Sequence, residues 1–269
     1  MQIVRCSSCG VVCTHPVPTE AELLRLYEDG ALLHELNTDE VVEKIEFPQW
    51  KLKEHSQILR MLADIGVYRG RLLDIGCLWG SFLDSARQSG FDVTGIEPYE
   101  RAARYARNIL KLNVLSGSLK DVALPYPSFD AITILDVIEH LCDPVEELRT
   151  VLRLLKLNGV LVVVTPNVEG LPVRVLGLKR RIFGQPWCPI DDMPWHLWGF
   201  TPRTMVRVLE LVGYRVEKIR GLSPSVFTTN TGAGANQWKR FSLAALGSIS
   251  QLIGKSDRLA VYARRVDGA

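Results

Sequence analysis

Short hydrophobic runs and amphipathic stretches alternate along the chain from residue 70 onward. Runs such as "RLLDIG", "DVTGIEP" and "GVLVVVTPN" are typical of buried β-strands. Between them, "FLDSARQSG" and "YERAARYARNIL" carry apolar residues at helical spacing. Strands that alternate with helices of this length predict an α/β fold with a mostly parallel sheet and helices on both faces.

The C-terminal half continues this alternation. "FDAITILDV" predicts a buried strand, and "PVEELRTVLRLLKLNG" predicts the helix that follows it. Thr201 and Pro202 are typical of an N-cap and of a first helical position, so another helix is predicted from there. "YRVEKIRG" and "DRLAVYARR" predict the two final strands.

Three stretches depart from this pattern. Residues 1–19 show little periodicity and hold three of the six cysteines. Residues 20–69 contain apolar residues at helical spacing and are predicted to form a helical lid. Residues 168–200 interrupt the alternation and are predicted to be an insertion on the substrate side. We therefore expect a cysteine-containing N-terminal segment, a helical lid and a main domain over residues 70–269.

Composition narrows the class of protein. A chain of 269 residues with 47% hydrophobic residues suits one large α/β domain with a small appendage. Its 32 basic and 30 acidic residues nearly cancel, which disfavours nucleic-acid binding. We find neither a signal-peptide pattern nor an apolar run of about 18 residues, and therefore expect a cytoplasmic protein. In that compartment the cysteines are expected to be thiols or metal ligands rather than disulfides.

The run "LLDIGCLWGSF" ends one predicted strand and begins a predicted helix, with Gly76 and Gly80 on either side of the turn. In nucleotide-binding folds such a loop presents backbone N–H groups to the ligand. Glu97 ends the next predicted strand 21 residues after Gly76, where a carboxylate can accept hydrogen bonds from both hydroxyls of a ribose. On these residues alone, an ordinary strand-to-helix turn remains the alternative.

Four ordered motifs resemble class I S-adenosylmethionine-dependent methyltransferases, in their ubiquinone-methyltransferase-like branch. "LLDIGCLWGSFLDSARQSGFDVTGIEPY" resembles the first motifs of that family, and "SFDAITILDVIEHLCDPVEEL" resembles its fourth-strand motif. "LKLNGVLVVVTPN" is similar to its fifth strand, and "HLWGFTPRTMVRVLELVGYRV" to a later segment of the branch. The resemblance spans roughly residues 50–265.

This resemblance implies a Rossmann-like, seven-stranded, mostly parallel sheet whose last strand is antiparallel. It also implies S-adenosylmethionine as cofactor and a small-molecule acceptor, with a hydroxyl favoured. An NAD-dependent oxidoreductase is disfavoured, because the loop lacks the glycine spacing of a pyrophosphate site. The implied cofactor contacts are Asp74, Gly76, Cys77, Gly80, Glu97, Pro98, Ser118, Leu119, Asp136 and Val137.

One residue departs from the family pattern. The family loop usually has a glycine at the position that Leu78 occupies in this chain. Either the loop still binds, with its backbone shifted or the Leu78 side chain turned aside, or binding is weakened and the enzyme is degenerate. Leu78 also leaves open a second class, a catalytically silent, methyltransferase-like binding protein. We favour retained binding, because Asp74, Gly76, Gly80 and Glu97 are all present.

Two histidines are candidates for catalysis. His140 follows the fourth strand of the sheet, and the resemblance implies that a histidine near this position can take the proton of a hydroxyl acceptor. An imidazole titrates near pH ~6.5, so it suits this role. His196 precedes the helix that begins at Pro202 and is the second candidate. For each, the alternative is a purely structural histidine. No metal is expected to be required.

Two further segments allow more than one interpretation. "RCSSCGVVCTHPVPTEAELLRLY" resembles the second half of a zinc ribbon, which needs four ligands. Cys6 and Cys9 form one pair, and Cys13 and His15 would have to complete the set; otherwise the segment is a remnant. The basic, partly apolar stretch over residues 171–187 is either a flap over the substrate or a peripheral contact with an anionic membrane.

Overall fold

A seven-stranded sheet forms the centre of the molecule. The computed structural model describes residues 2–28, 45–184, 188, 195–222 and 237–266. The strands of the main sheet, in chain order, are β3 (Gly70–Ile75), β4 (Phe91–Glu97), β5 (Asn113–Ser116), β6 (Phe129–Leu135), β7 (Leu155–Pro166), β9 (Tyr214–Gly221) and β10 (Arg258–Arg265).

The strand order is β5-β4-β3-β6-β7-β10-β9. The pairs from β5 to β7 are all parallel, whereas β10 runs antiparallel to both β7 and β9. This confirms the predicted mostly parallel sheet whose last strand in sequence is antiparallel. Because β3, β4 and β6 are neighbours and parallel, the loops that follow them meet at one edge of the sheet.

Helices cover both faces of the sheet. One face packs against α2 (Gln49–Asp64), α3 (Ser81–Gln88) and α4 (Glu100–Asn108), and the other against α5 (Pro144–Leu154) and α7 (Pro202–Val212). Apolar residues at helical spacing account for this packing, as Met205 and Leu209 show by pointing from α7 into the core. The side chain of Thr201 accepts a hydrogen bond from Thr204 N, so it caps α7 as predicted.

The helix predicted to run to Gly159 ends earlier, and this prediction was wrong. Helix α5 stops at Leu154, and Leu155 already pairs with Phe129 of β6. The apolar residues after Leu154 fit either a helix or a strand, and pairing with the sheet decides between them. Asn158 adopts a left-handed conformation (φ 61°), which an asparagine tolerates better than most residues.

A second, small sheet holds the N-terminal segment in place. It consists of β1 (Gln2–Arg5), β2 (Val12–His15) and β8 (Trp198–Gly199), all antiparallel. The cysteine-containing segment is thus joined to the residues that lead into α7.

The described residues form three further helices beside those that cover the main sheet. They are α1 (Glu20–Glu28), α6 (Leu171–Ile182) and α8 (Gln237–Leu252). Residues 29–44 of the predicted lid, and residues 185–187 and 189–194 of the predicted insertion, lie outside the described residues. No helix among the described residues is long and apolar enough to cross a membrane.

Candidate active site

Two glycines shape the loop between β3 and α3. Gly76 has φ 72°, and a Cβ atom there would lie 2.4 Å from Cγ2 of Val137. Gly80 has φ 79°, and a Cβ there would lie 2.7 Å from Cδ1 of Leu112. Because both positions combine a left-handed backbone with a crowded neighbour, each requires glycine. The loop is therefore drawn tightly against the strand ends at the edge of the sheet.

Leu78 keeps the backbone conformation that favours a glycine. Its φ is 46°, in the left-handed region, and its side chain is 41% exposed. Its backbone N–H donates to Oε2 of Glu97 at 2.7 Å. The side chain is turned aside while the backbone stays in place, at a cost of about 1–2 kcal/mol for a left-handed non-glycine residue.

Glu97 joins this loop to the loop that follows β4. Its Oε1 accepts a hydrogen bond from the backbone N–H of Tyr99 at 2.9 Å, and its Oε2 accepts the one from Leu78. Burial raises the pKa of Glu97 to about 7, although both N–H donors act in the opposite direction. Each carboxylate oxygen retains a further lone pair, so Glu97 can accept from two hydroxyls of a diol.

Asp74 and Cys77 support the same loop from below. Asp74 is buried, and its Oδ1 accepts a hydrogen bond from Oγ1 of Thr133 at 2.6 Å, which links β3 to β6. Burial raises the pKa of Asp74 to about 7. Burial also raises the pKa of the Cys77 thiol, which therefore stays neutral. Asp74 and Cys77 are thus both buried, and their contact with the cofactor stays a prediction.

The remaining predicted adenine contacts differ in exposure. Pro98 is exposed directly after Glu97. Ser118 donates from Oγ to Oδ2 of Asp121 at 2.6 Å, whereas Leu119 is buried in the core. Their contact with adenine stays a prediction.

A group of charged side chains surrounds Asp136, at the end of β6. Asp136 has φ 57°, and its carboxylate pairs with Arg258 of β10 and lies 3.6 Å from Nζ of Lys51. Arg258 is 3% exposed and pairs also with Glu54, which Lys51 approaches to 3.3 Å. We call these four residues, Lys51, Glu54, Asp136 and Arg258, the charge cluster.

The charge cluster combines two acids and two bases, so its formal charges balance. Burial tends to raise the pKa of Asp136, but Arg258 and Lys51 outweigh burial and hold that pKa below its usual range. Lys51, Glu54 and Arg258 were not predicted as site residues from the sequence. A charged residue at the start of the buried strand "RLAVYA" was the available signal, because a buried charge needs a partner. The sequence does not indicate which element supplies that partner.

The turn after Asp136 brings the two predicted histidines together. Ile138–His140 forms a single 3-10 turn, and the rings of His140 and His196 lie 4.7 Å apart between centroids. Nδ1 of His140 lies 3.0 Å from the carbonyl oxygen of Trp195. A carbonyl can only accept, so Nδ1 carries the proton, and the lone pair of the neutral ring resides on Nε2.

Glu139, between Asp136 and His140 in sequence, was not predicted as a site residue. It is buried, and its Oε2 accepts a hydrogen bond from Oγ1 of Thr165 at 3.0 Å. Its Oε1 is buried without a hydrogen-bond partner among the described residues. Burial and the nearby charge of Asp136 raise the pKa of Glu139 to about 8. Its position directly before His140 was the only signal in the sequence.

Glu139, His140 and His196 also have the composition of a metal site. Each offers one ligand atom, and these atoms lie within 4.8 Å of one another. One carboxylate and two imidazoles suit a divalent transition metal such as zinc.

The N-terminal cysteines are arranged differently. Cys6 lies in the turn between β1 and β2, and Ser8 and the backbone of Cys9 lower its pKa to about 6 by hydrogen bonding. Within the described part of the chain, Cys6, Cys9, Cys13 and His15 do not converge into a three-ligand group.

The sequence of the chain matches a known protein family. A family model described as a methyltransferase domain matches residues 32–219, well over half of the chain. The chain belongs to this methyltransferase family. Its predicted membership of the class I S-adenosylmethionine-dependent methyltransferases is thereby confirmed.

Relatives in the family share part of their length with this methyltransferase. The ubiquinone biosynthesis O-methyltransferase of Vibrio cholerae is 25% identical over 179 residues, which cover 64% of this chain and 71% of that protein. The enzyme of the same name from Caulobacter sp. is 33% identical over 133 residues, covering 46% of this chain and 52% of that one. The chain thus spans about half the length of the Caulobacter relative.

Solved structures confirm the fold. An S-adenosylmethionine-dependent methyltransferase from Mesorhizobium loti superposes with a TM-score of 0.55 at 19% identity, covering 80% of this chain and 100% of that one. The cyclase SpnF superposes with a TM-score of 0.60 at 18% identity, covering 94% of this chain and 99% of that one. At these identities the likeness concerns the fold alone.

Proposed function

We propose that this methyltransferase transfers a methyl group from S-adenosylmethionine to a hydroxyl of a small molecule. The observation that carries the proposal is the pairing of His140 and His196 next to Asp136, at the sheet edge where the cofactor loop also lies. Relatives from Vibrio cholerae and Caulobacter sp. are named O-methyltransferases, which supports the choice of oxygen. The nearly balanced charge of the chain favours a small molecule over a nucleic acid.

In this proposal, binding of the cofactor depends on Glu97 and on the backbone around it. A buried carboxylate with two open acceptor positions suits a ribose diol, and the tight glycine loop beside it suits the close approach of a nucleoside. When bound, S-adenosylmethionine supplies a methyl group activated by a positively charged sulfur. Asp136 and Val137 are proposed to border its methionine end. The left-handed backbone at Leu78 supports retained cofactor binding over weakened binding in a degenerate loop.

On the acceptor side, His140 is proposed to act as the general base. Its Nδ1 proton is held by Trp195 O, which fixes the ring and leaves the lone pair on Nε2. A hydroxyl within reach of Nε2 would lose its proton to His140 as the carbon–oxygen bond forms. His196 is the competing candidate, because its ring packs against that of His140. In either case positioning of the acceptor contributes most of the catalysis.

Calorimetry followed by an acceptor screen tests the proposal. We expect the protein to bind both S-adenosylmethionine and its demethylated product. Hydroxylated metabolites and sugar nucleotides are then screened for release of the demethylated product. Binding without turnover on any hydroxyl, amine or thiol would favour a silent binding protein. Absence of binding would contradict the site assignment.

A chelator tests whether the Glu139–His140–His196 group needs a metal. We propose that methyl transfer proceeds without one, because the leaving group is already activated and a base is sufficient. Turnover should therefore be unchanged after dialysis against EDTA. A loss of turnover that added zinc or magnesium reverses would instead make these three residues metal ligands. In Glu139→Gln, the added metal should then fail to restore turnover.

A further inference from the structure

The tight turn that joins β1 to β2 contains Cys6 and Cys9, and both are free thiols. The backbone closes this turn twice: Gly10 N donates to Cys6 O at 2.9 Å, and Cys6 N donates to Val11 O at 2.9 Å. Gly10 has φ 83°, a left-handed conformation that allows the chain to reverse here. The two cysteines are therefore held on one short, closed stretch of backbone.

Two arginines fix the turn to its surroundings. Nη1 of Arg5 donates to Gly10 O at 3.1 Å, and Nη1 of Arg207, from α7, donates to Ser8 O at 3.0 Å. Each arginine thereby holds one carbonyl of the turn. Positions 7 and 8 are exposed and both cysteines are partly exposed, so a small solute can reach the sulfur atoms from solvent.

Hydrogen bonds favour the thiolate form of Cys6. The hydroxyl of Ser8 lies 3.1 Å from Cys6 Sγ, and the backbone N–H and the thiol of Cys9 also donate to this sulfur. These donors lower the pKa of Cys6 to about 6, whereas burial raises the pKa of the neighbouring Cys13 on β2. A sulfur that ionises readily and a second thiol are thus in direct contact.

This arrangement suits reversible oxidation better than a metal ion. Within the part of the chain that the structure describes, no third ligand atom converges with Cys6 and Cys9. A tetrahedral zinc ion needs four ligands, so these two sulfurs alone would leave half of its coordination positions unfilled. An accessible, nucleophilic sulfur beside a second thiol is the arrangement that disulfide formation requires.

We propose that Cys6 and Cys9 form a redox-active dithiol, which a hydroperoxide converts reversibly to a disulfide within the chain. The Cys6 sulfur attacks one peroxide oxygen, the O–O bond breaks, and the other oxygen leaves as an alcohol, or as water from hydrogen peroxide. Cys6 is thereby oxidised to a sulfenic acid. The Cys9 sulfur then attacks the Cys6 sulfur, the S–O bond breaks, and water leaves as the disulfide forms.

The reaction is balanced, because two thiols and one hydroperoxide give one disulfide, one alcohol and one water. A dithiol reductant reverses it by thiol–disulfide exchange. The dithiol lies on the small sheet, in which β2 pairs with β8, and Trp198 of β8 donates from Nε1 to Leu141 O at 2.7 Å. Its chemistry uses neither His140 nor His196, so it can be tested without a methyl acceptor.

Oxidation followed by peptide mapping of the full chain tests the proposal. The reduced protein is freed of metal with EDTA and treated with hydrogen peroxide, and the remaining thiols are then alkylated. We expect a disulfide between Cys6 and Cys9 that dithiothreitol removes, whereas Cys13 should remain available for alkylation.

The rate of alkylation without peroxide gives a second measurement. At about pH 7, Cys6 should react with iodoacetamide several times faster than Cys13, because its larger thiolate fraction outweighs the weaker nucleophilicity of a low-pKa thiolate. The rate at Cys6 should level off above about pH 7, whereas the rate at Cys13 should continue to rise.

Three variants separate the roles of the cysteines. Cys9→Ser should stop at the sulfenic acid, which dimedone traps at position 6, and should form no disulfide there. Cys6→Ser should lose both the disulfide and the fast-reacting thiol. Cys13→Ser is the matched control, because it changes a cysteine of the same small sheet outside the pair, and it should be oxidised like the native protein. Circular dichroism shows whether each variant is folded.

Three results would overturn the proposal. The first is the absence of a disulfide between Cys6 and Cys9 after treatment with peroxide. The second is a disulfide that joins two copies of the chain, which electrophoresis without reductant detects. The third is zinc in the purified protein that protects both cysteines from peroxide until EDTA removes it, since the two sulfurs would then be metal ligands.

Discussion

The loop after β3 and the turn after β6 lie at the same sheet edge but are built in different ways. The first uses backbone: two glycines, a left-handed leucine and N–H groups that meet the carboxylate of Glu97. The second uses side chains that come from distant parts of the chain, among them Glu54, His196 and Arg258. The candidate cofactor site is therefore built from residues close in sequence, whereas the candidate acceptor site depends on tertiary structure.

The largest effect is expected at His140. On a hydroxyl acceptor, His140→Gln should lower turnover by about 10²–10⁴-fold, the range for loss of a general base, while cofactor affinity hardly changes. Steady-state kinetics and calorimetry measure both quantities. The native rate should also rise with pH, because the base must be unprotonated to accept the hydroxyl proton.

His196→Gln provides the comparison, and His15→Gln on the exposed end of β2 the control. A larger loss in His196→Gln would transfer the role of base to His196. If both single variants keep near-native turnover on a hydroxyl acceptor, neither histidine is the base.

Substitution of Arg258 tests how strongly the turn after β6 depends on residues that are distant in sequence. Arg258→Met leaves two acids of the charge cluster without their shared buried partner, which should lower the free energy of unfolding by about 3–5 kcal/mol. Urea unfolding measures this change. Arg215→Met, which removes an exposed ion pair on β9, should cost less than about 1 kcal/mol. Equal effects of the two substitutions would mean that the cluster contributes little.

Glu97 tests the loop after β3. Glu97→Ala removes two charge-assisted hydrogen bonds to the ribose, each contributing about 1.5–3 kcal/mol, so cofactor affinity should fall tenfold or more. The exposed neighbour Glu100 supplies the control, and Glu100→Ala should bind as the native protein does. Native affinity in a folded Glu97→Ala variant would show that the ribose lies elsewhere.

The raised pKa of Glu97 makes cofactor affinity depend on pH. The carboxylate must be ionised to accept from both hydroxyls, and burial raises its pKa to about 7. The dissociation constant should therefore decrease as pH rises from about 6 to 8, by at most about tenfold per pH unit for one proton. Calorimetry across this range measures it. Glu97→Gln should remove this contribution; an unchanged pH profile in that variant would assign the dependence to another group, such as Asp74.

The smallest effect is expected at Leu78. Leu78→Gly removes the strain of a non-glycine residue in a left-handed conformation, which stabilises the folded state. It also increases the conformational entropy of the unfolded chain, which acts in the opposite direction. The free energy of unfolding should therefore change by about 1 kcal/mol or less. Cofactor affinity should stay the same or become tighter, because the backbone already has the conformation of a glycine. A clear loss of affinity would mean that the Leu78 side chain packs on the cofactor. Absence of binding in the native protein that Leu78→Gly restores would mean that the native loop is degenerate.

Sequence-based prediction also differed between the loop after β3 and the turn after β6. The sheet and the position of Glu97 at the end of β4 were predictable, because strand periodicity and a fixed spacing along adjacent chain segments determine them. The pairing of Arg258 with Glu54 and Asp136 was not, since two of these residues are 204 positions apart and only the fold brings them together. The end of α5 was mispredicted for a related reason: pairing of Leu155 with β6 outweighed the local pattern.

The two backbone hydrogen bonds that Glu97 accepts affect both the rate and the entropic cost of cofactor binding. One oxygen holds the backbone after β3 and the other holds the backbone after β4, so two separate loops are fastened to each other before any ligand arrives. Little backbone freedom is then left to lose on binding, which reduces the ordering cost that flexible sites carry. Association should accordingly proceed in one kinetic phase, with no slow rearrangement of these loops after encounter.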